Sequence, residues 1–291
     1  MGAWPEYIVL LIANILLARV IASRMGLADV ILPMALVAFS PGILTVHWMA
    51  WSEPVLIFLG FTGLLLIDAY LRRRRISLLL LAGMVMALAW LDRYIGIAFV
   101  AGGILWLSSS KRARDLVLFG IISVAPMAVW MAHNAVRLGN ATNRTLSLHR
   151  IAIAEGLGFI LGLSMAGALY LFLRRRDSRA IHQALALTIF AHTAVVAITA
   201  CLVDANTPVL DTRIQVVVMY AGLLLLPWVA GQLQPRAAAL FRRVLIMLIA
   251  VQLLGAVYYT AQAFNKGLEY SDGRWAHGDL VIPAHAWDDP E

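Results

Sequence analysis

Residues 53–75 read EPVLIFLGFTGLLLIDAYLRRRR. An acid and a proline open the stretch, a run from 54 to 71 carries Asp68 as its one charge, and four arginines close it. A transmembrane helix needs about 20 mainly apolar residues, so this run is a span. Its direction follows from the charges, because loops rich in Arg and Lys stay on the cytoplasmic side. Arg72 to Arg75 therefore mark the inner end and Glu53 the outer end.

The same alternation extends along the chain. Arg19/Arg24, Arg72 to Arg75, Lys111/Arg112/Arg114, Arg174 to Arg176 with Arg179, and Arg236/Arg242/Arg243 fall at every second break between apolar runs. These inner breaks hold sixteen basic residues and four acids (Asp29, Asp68, Asp115, Asp177), and the outer side holds seven basic and twelve acidic residues. The formal charge of +7 thus reads as membrane topology, which suits an inner face in contact with anionic lipid, and nucleic acid is not an expected partner. With 62% apolar and 13% charged residues and a mean hydropathy of +0.84, the chain is far from a soluble domain, where roughly 25% charge is ordinary. The single cysteine, Cys201, excludes an intramolecular disulfide. The first apolar segment lacks the basic flank and cleavage site of a signal peptide.

Unbroken runs of this length exclude barrel strands, and open sheet cannot persist in lipid. The fold class is all-α: a polytopic bundle of about ten spans near 7–23, 29–46, 54–71, 76–91, 94–107, 116–132, 151–173, 181–203, 214–232 and 244–264. The fourth and fifth are short and share a turn at Asp92-Arg93-Tyr94. Residues 1–264 form the helical domain, and 265–291 a short polar tail on the outer side. Both termini are outside, and the immediate entry into membrane at Trp4-Pro5-Glu6-Tyr7 is expected of the middle of a longer protein.

Four outer-face stations hold the conspicuous polar residues. At Ser52-Glu53-Pro54, Ser52 suits an N-cap, Glu53 the positive helix end and Pro54 the first turn; against this purely structural reading, a carboxylate between Trp48, Trp51 and lipid needs a partner. Asp92-Arg93-Tyr94 is either a wetted turn or an arginine whose planar fork grips a phosphate at the lipid boundary. In the third station a continued helix places Trp130, Asn134 and Arg137 on one face, beside His133. Asn140 and Asn143 there also match the glycosylation pattern. The fourth is Asp211-Thr212-Arg213.

Other polar residues have structural readings. His192, in mid-span, is expected to be neutral and bonded to a carbonyl. Asn14 and Gln252 suit interhelical hydrogen bonds, Asp68 and Arg72 pair at i, i+4, and Gly158 with Gly162 fits close helix packing. No phosphate loop, metal-spaced Cys/His cluster or Ser-His-Asp arrangement is present.

In order and sidedness these stations resemble the C-type superfamily of polytopic glycosyltransferases (GT-C), in its bacterial branch of protein mannosyltransferases and aminoarabinose transferases. The matching elements are Ser52-Glu53-Pro54, then Leu91-Asp92-Arg93-Tyr94-Ile95-Gly96, then Pro126, Trp130, Asn134 and Gly139, then Asp211-Thr212-Arg213, and finally Gly267, Tyr270 and Trp275. The family's first span and its outer loop with the catalytic acid have no counterpart; Glu53 matches the second acidic station.

The resemblance implies a bacterial inner-membrane enzyme of the cell envelope. Its donor is a polyprenyl-phosphate-linked sugar on the extracytoplasmic face. It assigns donor phosphate to Arg93, Arg137 and Arg213, support to Asp92, Tyr94, Asn134 and Asp211, and acceptor or metal orientation to Glu53. A divalent metal is an open option, and sugar, acceptor and oligomeric state are unassigned. The alternatives are a non-catalytic subunit that binds lipid-linked sugar, and a transporter or flippase.

Overall fold

The computed structural model describes residues 4–48, 52–109, 112–138, 153–174, 180–202, 212–269, 275–277 and 280–282. In chain order the helices are α1 (Trp4–Arg24), α2 (Ile31–Ala38), α3 (Pro41–Trp48), α4 (Glu53–Arg73), α5 (Ile76–Asp92), α6 (Ile97–Ser108), α7 (Ala113–Leu138), α8 (Ile153–Arg174), α9 (Ile181–Leu202), α10 (Thr212–Ala230) and α11 (Pro235–Glu269). A 3-10 turn, Tyr94–Gly96, joins α5 to α6, and a hairpin pairs β1 (Trp275–His277) with β2 (Leu280–Ile282). Among the described residues the fold is all-α apart from that hairpin. Among them, five helices are long and apolar enough to cross a membrane: Pro5–Arg24, Glu53–Arg73, Ala113–Arg137, Ile181–Leu202 and Pro235–Gly255. The chain is a multi-pass membrane protein. The apolar helices in α5, α6, α8 and α10 are shorter.

The run expected to cross at 29–46 is instead two helices, α2 and α3. Pro41 has no N–H to bond a carbonyl one turn back, and its ring disfavours helical geometry at the preceding residue. The α2 ladder ends where Phe39 N–H reaches Ala35 O at 3.0 Å, and helix resumes where Ser40 O accepts Leu44 N–H at 2.9 Å. The expected span at 244–264 lies within α11, which continues to Glu269, so helix crosses the expected boundary between bundle and tail.

Helix α4 lies at the centre, against α1, α3, α5, α6, α9 and α10. Lipid is as apolar as these side chains, so shape decides which helices meet. Phe61 on α4 is the hinge of that packing: its ring meets Phe99 of α6 edge-on at 5.1 Å and Tyr220 of α10 at 4.6 Å. Gly60 admits the Phe99 ring, since a Cβ there would lie 2.3 Å from it. Of the Gly158 and Gly162 pair, only Gly162 makes the expected close approach, with its Cβ direction 3.3 Å from Thr193 of α9. The outer surface is a girdle of exposed aliphatic residues, among them Ile12 and Leu16 on α1 and Met247 and Val251 on α11.

Several buried polar groups within the bundle pair across helices, which offsets the cost of burying them. The Asn14 side-chain amide donates to His47 Nε2 at 3.0 Å and to Pro54 O at 3.1 Å, while its backbone carbonyl accepts from Tyr220 Oη at 2.6 Å. His47 Nδ1 lies 2.7 Å from Ile43 O. A carbonyl can only accept, so Nδ1 carries the proton and Nε2 accepts from Asn14: one neutral tautomer satisfies both bonds. Asn14 thereby ties α1 to α3 and α4, as its residue type predicts. Gln252 Oε1 has no partner among the described residues.

His192 donates from Nε2 to Ile214 O at 2.7 Å, joining α9 to α10. That is the structural role expected of it. Replacing His192 by Ala should lower stability by about 1–3 kcal/mol, the cost of a buried carbonyl left unmatched. Chemical unfolding in detergent measures this, and ligand affinity at the outer end should be unchanged.

Candidate functional site

At the outer end of α4 the chain enters the helix through Ser52. Its carbonyl accepts the N–H groups of Val55 at 3.1 Å and Leu56 at 3.0 Å. The Ser52 side chain does not cap the helix; its hydroxyl accepts from Arg93 Nη1 at 3.2 Å. This corrects the N-cap expectation, and the reason is local. A cap accepts from the second or third N–H of the helix; Pro54 has none and the Val55 N–H is already bonded to the Ser52 carbonyl, so the hydroxyl serves the charged Arg93 donor.

Arg93 also reaches Glu53, Nη1 to Oε1, at 2.5 Å. Glu53 is 1% exposed and Arg93 35% exposed, so the carboxylate is sealed in protein while the arginine side chain stays partly exposed. The second carboxylate oxygen, Glu53 Oε2, is buried and has no hydrogen-bond partner among the described residues. The Asn14 bond to Pro54 O fixes the next residue along, so α4 begins with its acid held from two directions.

The turn that delivers Arg93 is compact. Arg93 is extended (φ −147°, ψ 139°), its N–H closes α5 on Ala89 O at 3.2 Å, and its carbonyl accepts Gly96 N–H at 2.8 Å. The chain folds back so closely that a Cβ on Gly96 would lie 2.3 Å from Ala89 O and 2.7 Å from Trp90 Cα. Gly96 is therefore a steric requirement of the turn.

Asp92 stands beside this pair, just past the apolar run, with an exposed side chain. Its carboxyl is pushed up to about 6, first by partial loss of water and then by the Glu53 charge, with Arg93 acting in the opposite sense. Tyr94 meets Trp130 of α7 edge-on at 6.1 Å. Ile95 packs against the main core and also against a second cluster of Phe159, Val196 and Ala200, which Ile214 joins. The start of α10 thus reaches the same neighbourhood.

Ser52, Glu53, Asp92, Arg93, Tyr94 and Trp130 are therefore one assembly. Asn134 is half-buried and Arg137 exposed on the continued helix α7. At 1.5 Å rise per residue Arg137 stands roughly 10 Å beyond Trp130 along the axis, and it has no ion pair among the described residues. Arg213 opens α10 in its backbone; its side chain, Asp211, Gly139, Asn140, Asn143 and Tyr270 lie outside the described residues. Among the described residues no group of three or more His, Cys, Asp or Glu is placed to hold a metal ion.

Sequence reasoning missed the Ser52 contact to Arg93 and the Asn14–His47 brace behind Pro54. Neither has a local signal, because the partners are 41 and 33 residues apart. No protein family, curated protein or solved structure matches this chain.

Proposed function

We propose that this protein binds a polyprenyl-phosphate-linked sugar at the Glu53–Arg93 end of the bundle and is a glycosyltransferase of the GT-C kind. In this reading α2 and α3 together make one of ten passes, the arginine-rich ends face the cytosol, and the site faces away from it, with a bacterial plasma membrane as the setting. One observation supports it above the rest: an acid and an arginine from separate sequence stations meet, and the arginine side chain stays partly exposed.

The chemistry divides by exposure. Glu53 is sealed and engaged, so its role is to fix the Arg93 guanidinium. The exposed part of Arg93 then receives the donor phosphate and stabilises its growing charge as the glycosidic C–O bond breaks. Asp92 is the carboxylate with access to solvent, and it takes the proton of the acceptor hydroxyl that attacks the anomeric carbon. Tyr94 and Trp130 offer an aromatic edge at the boundary for sugar or prenyl chain, and Arg137, higher on α7, meets the acceptor or the bulk headgroup region. The burial of Glu53 also favours the second reading, a subunit that binds lipid-linked sugar without transferring it.

Binding of a polyprenyl-phosphate hexose to the purified chain in nanodiscs tests the shared part. Arg93→Gln should weaken it by about 10- to 100-fold, the worth of one charge-assisted contact; unchanged affinity would remove the reading. The donor phosphodiester keeps one charge between pH 5 and 8, so pH dependence reports the protein. Asp92 ionises as pH rises through about 6, adding a negative charge beside the ligand. Affinity should therefore fall by roughly two- to fivefold across that step, the worth of an exposed charge interaction, and Asp92→Asn should flatten the profile at the tighter value.

A further inference from the structure

The other end of α4 carries a second feature, which the sugar-phosphate reading does not use. Two acids at that end are consumed internally. Asp68, 1% exposed, pairs with Arg72 at 3.0 Å and Arg24 at 3.6 Å, and the buried Asp115 accepts a hydrogen bond from Tyr70. Arg74 is turned over the Tyr70 ring, 5.8 Å from its centre. Around this core Arg73, Arg75, Arg112 and Arg114 are all exposed, and none has an ion pair among the described residues.

These four belong to one patch. Tyr70 and Asp115 tie the end of α4 to the start of α7, so Arg73 lies one turn from one partner and Arg112 and Arg114 flank the other. Arg74 adopts a left-handed conformation (φ 57°) that reverses the chain within two residues, which keeps Arg75 beside Arg73. Helices α5 and α7 pack with their N-termini at this same end, as the approach of Gly83 to Ile122 confirms. Both present the positive pole of the helix dipole there. Arginines at two neighbouring positive poles repel each other unless an anion joins them.

Apolar surface adjoins the charge. Arg114, Val117, Ile121 and Val124 follow at i, i+3, i+7 and i+10, one face of α7, and the three aliphatic residues are 58%, 60% and 36% exposed. A phosphate at Arg114 with an acyl chain along that stripe matches the shape of a phospholipid, and a free phosphate leaves the stripe unused. We propose that Arg73, Arg75, Arg112 and Arg114 form a docking site for anionic phospholipid headgroups, with the acyl chain lying on Val117, Ile121 and Val124.

The test is thermal unfolding of the full chain in detergent, titrated with phosphatidylglycerol, phosphatidylcholine or inorganic phosphate. Phosphatidylglycerol should raise Tm, and phosphatidylcholine and inorganic phosphate should not. The variant R73Q/R75Q/R112Q/R114Q should lose the shift and bind the anionic lipid at least about tenfold more weakly, since each basic residue near an anionic surface contributes appreciably. R73K/R75K/R112K/R114K should retain most of it. Should the fourfold Gln variant misfold, R73Q/R75Q and R112Q/R114Q separately should each lose part of the shift. The control R19Q/R243Q removes exposed charge elsewhere at this end and should leave the shift intact. Equal stabilisation by both lipids overturns the proposal. So does an equal loss in the control, which would indicate diffuse attraction, or an equal shift from inorganic phosphate.

Discussion

Arg93→Gln should destabilise the protein by about 3 kcal/mol, because it leaves the Glu53 carboxylate buried with no cation. Breaking a buried ion pair from one side costs about 3–5 kcal/mol, and the partial exposure of Arg93 (35%) sets the value near the lower bound. The double variant E53Q/R93Q should recover most of the loss, since two neutral amides carry no buried charge. That recovery separates the two roles of Arg93. If the double variant folds like the parent and still fails to bind a polyprenyl-phosphate sugar, the guanidinium acts on ligand. If it folds and binds normally, the pair is a strut between α4 and the α5–α6 turn and nothing more. Glu53→Gln alone should be milder in stability, because a third-open arginine can turn to water. Its effect should appear as weaker ligand binding through a less fixed guanidinium. Reversible unfolding in mixed micelles, run beside lipid binding on the same preparations, distinguishes these outcomes.

Gly96→Ala should be at least as damaging, by about 3 kcal/mol or more. Overpacking in a core commonly costs about 1–3 kcal/mol when side chains can yield. Here the added methyl meets backbone atoms, Ala89 O and C at 2.3 and 2.5 Å and Trp90 Cα at 2.7 Å. Backbone within the last turn of α5 cannot move aside without breaking the helix end that places Arg93. The variant should therefore lose stability and the Arg93–Glu53 contact together. By contrast Gly158→Ala meets open space and should be near neutral. A loss of thermal stability in Gly96→Ala no greater than in Gly158→Ala would show that the turn is looser than its geometry states.

Much of the site was legible residue by residue, and little of it contact by contact. Glu53, Arg93 and Trp130 were conspicuous because a charge or a large aromatic ring at a membrane boundary must find water or a partner. Which partner each finds was not legible: Glu53 and Arg93 are 40 residues apart, and nothing in either stretch points to the other. Ser52 read as a cap, yet its own carbonyl takes the Val55 N–H, and its hydroxyl is used by Arg93. The two short spans at 76–91 and 94–107 were visible as short, yet the reason they can share so tight a turn is the absence of a Cβ on Gly96. The break between α2 and α3 had its signal in Pro41, but composition alone let the run pass as one span.

The sequence by itself determined that this is a helical protein of the membrane and that its arginines gather at alternate breaks, because apolar length and charge are local quantities that add along the chain. Tertiary structure alone decided that Arg93 is held by Glu53 and Ser52 and that His192 serves the carbonyl of Ile214. Inside a bilayer no difference in apolarity tells one helix from another, so the fit of glycines, rings and buried hydrogen bonds sets these contacts.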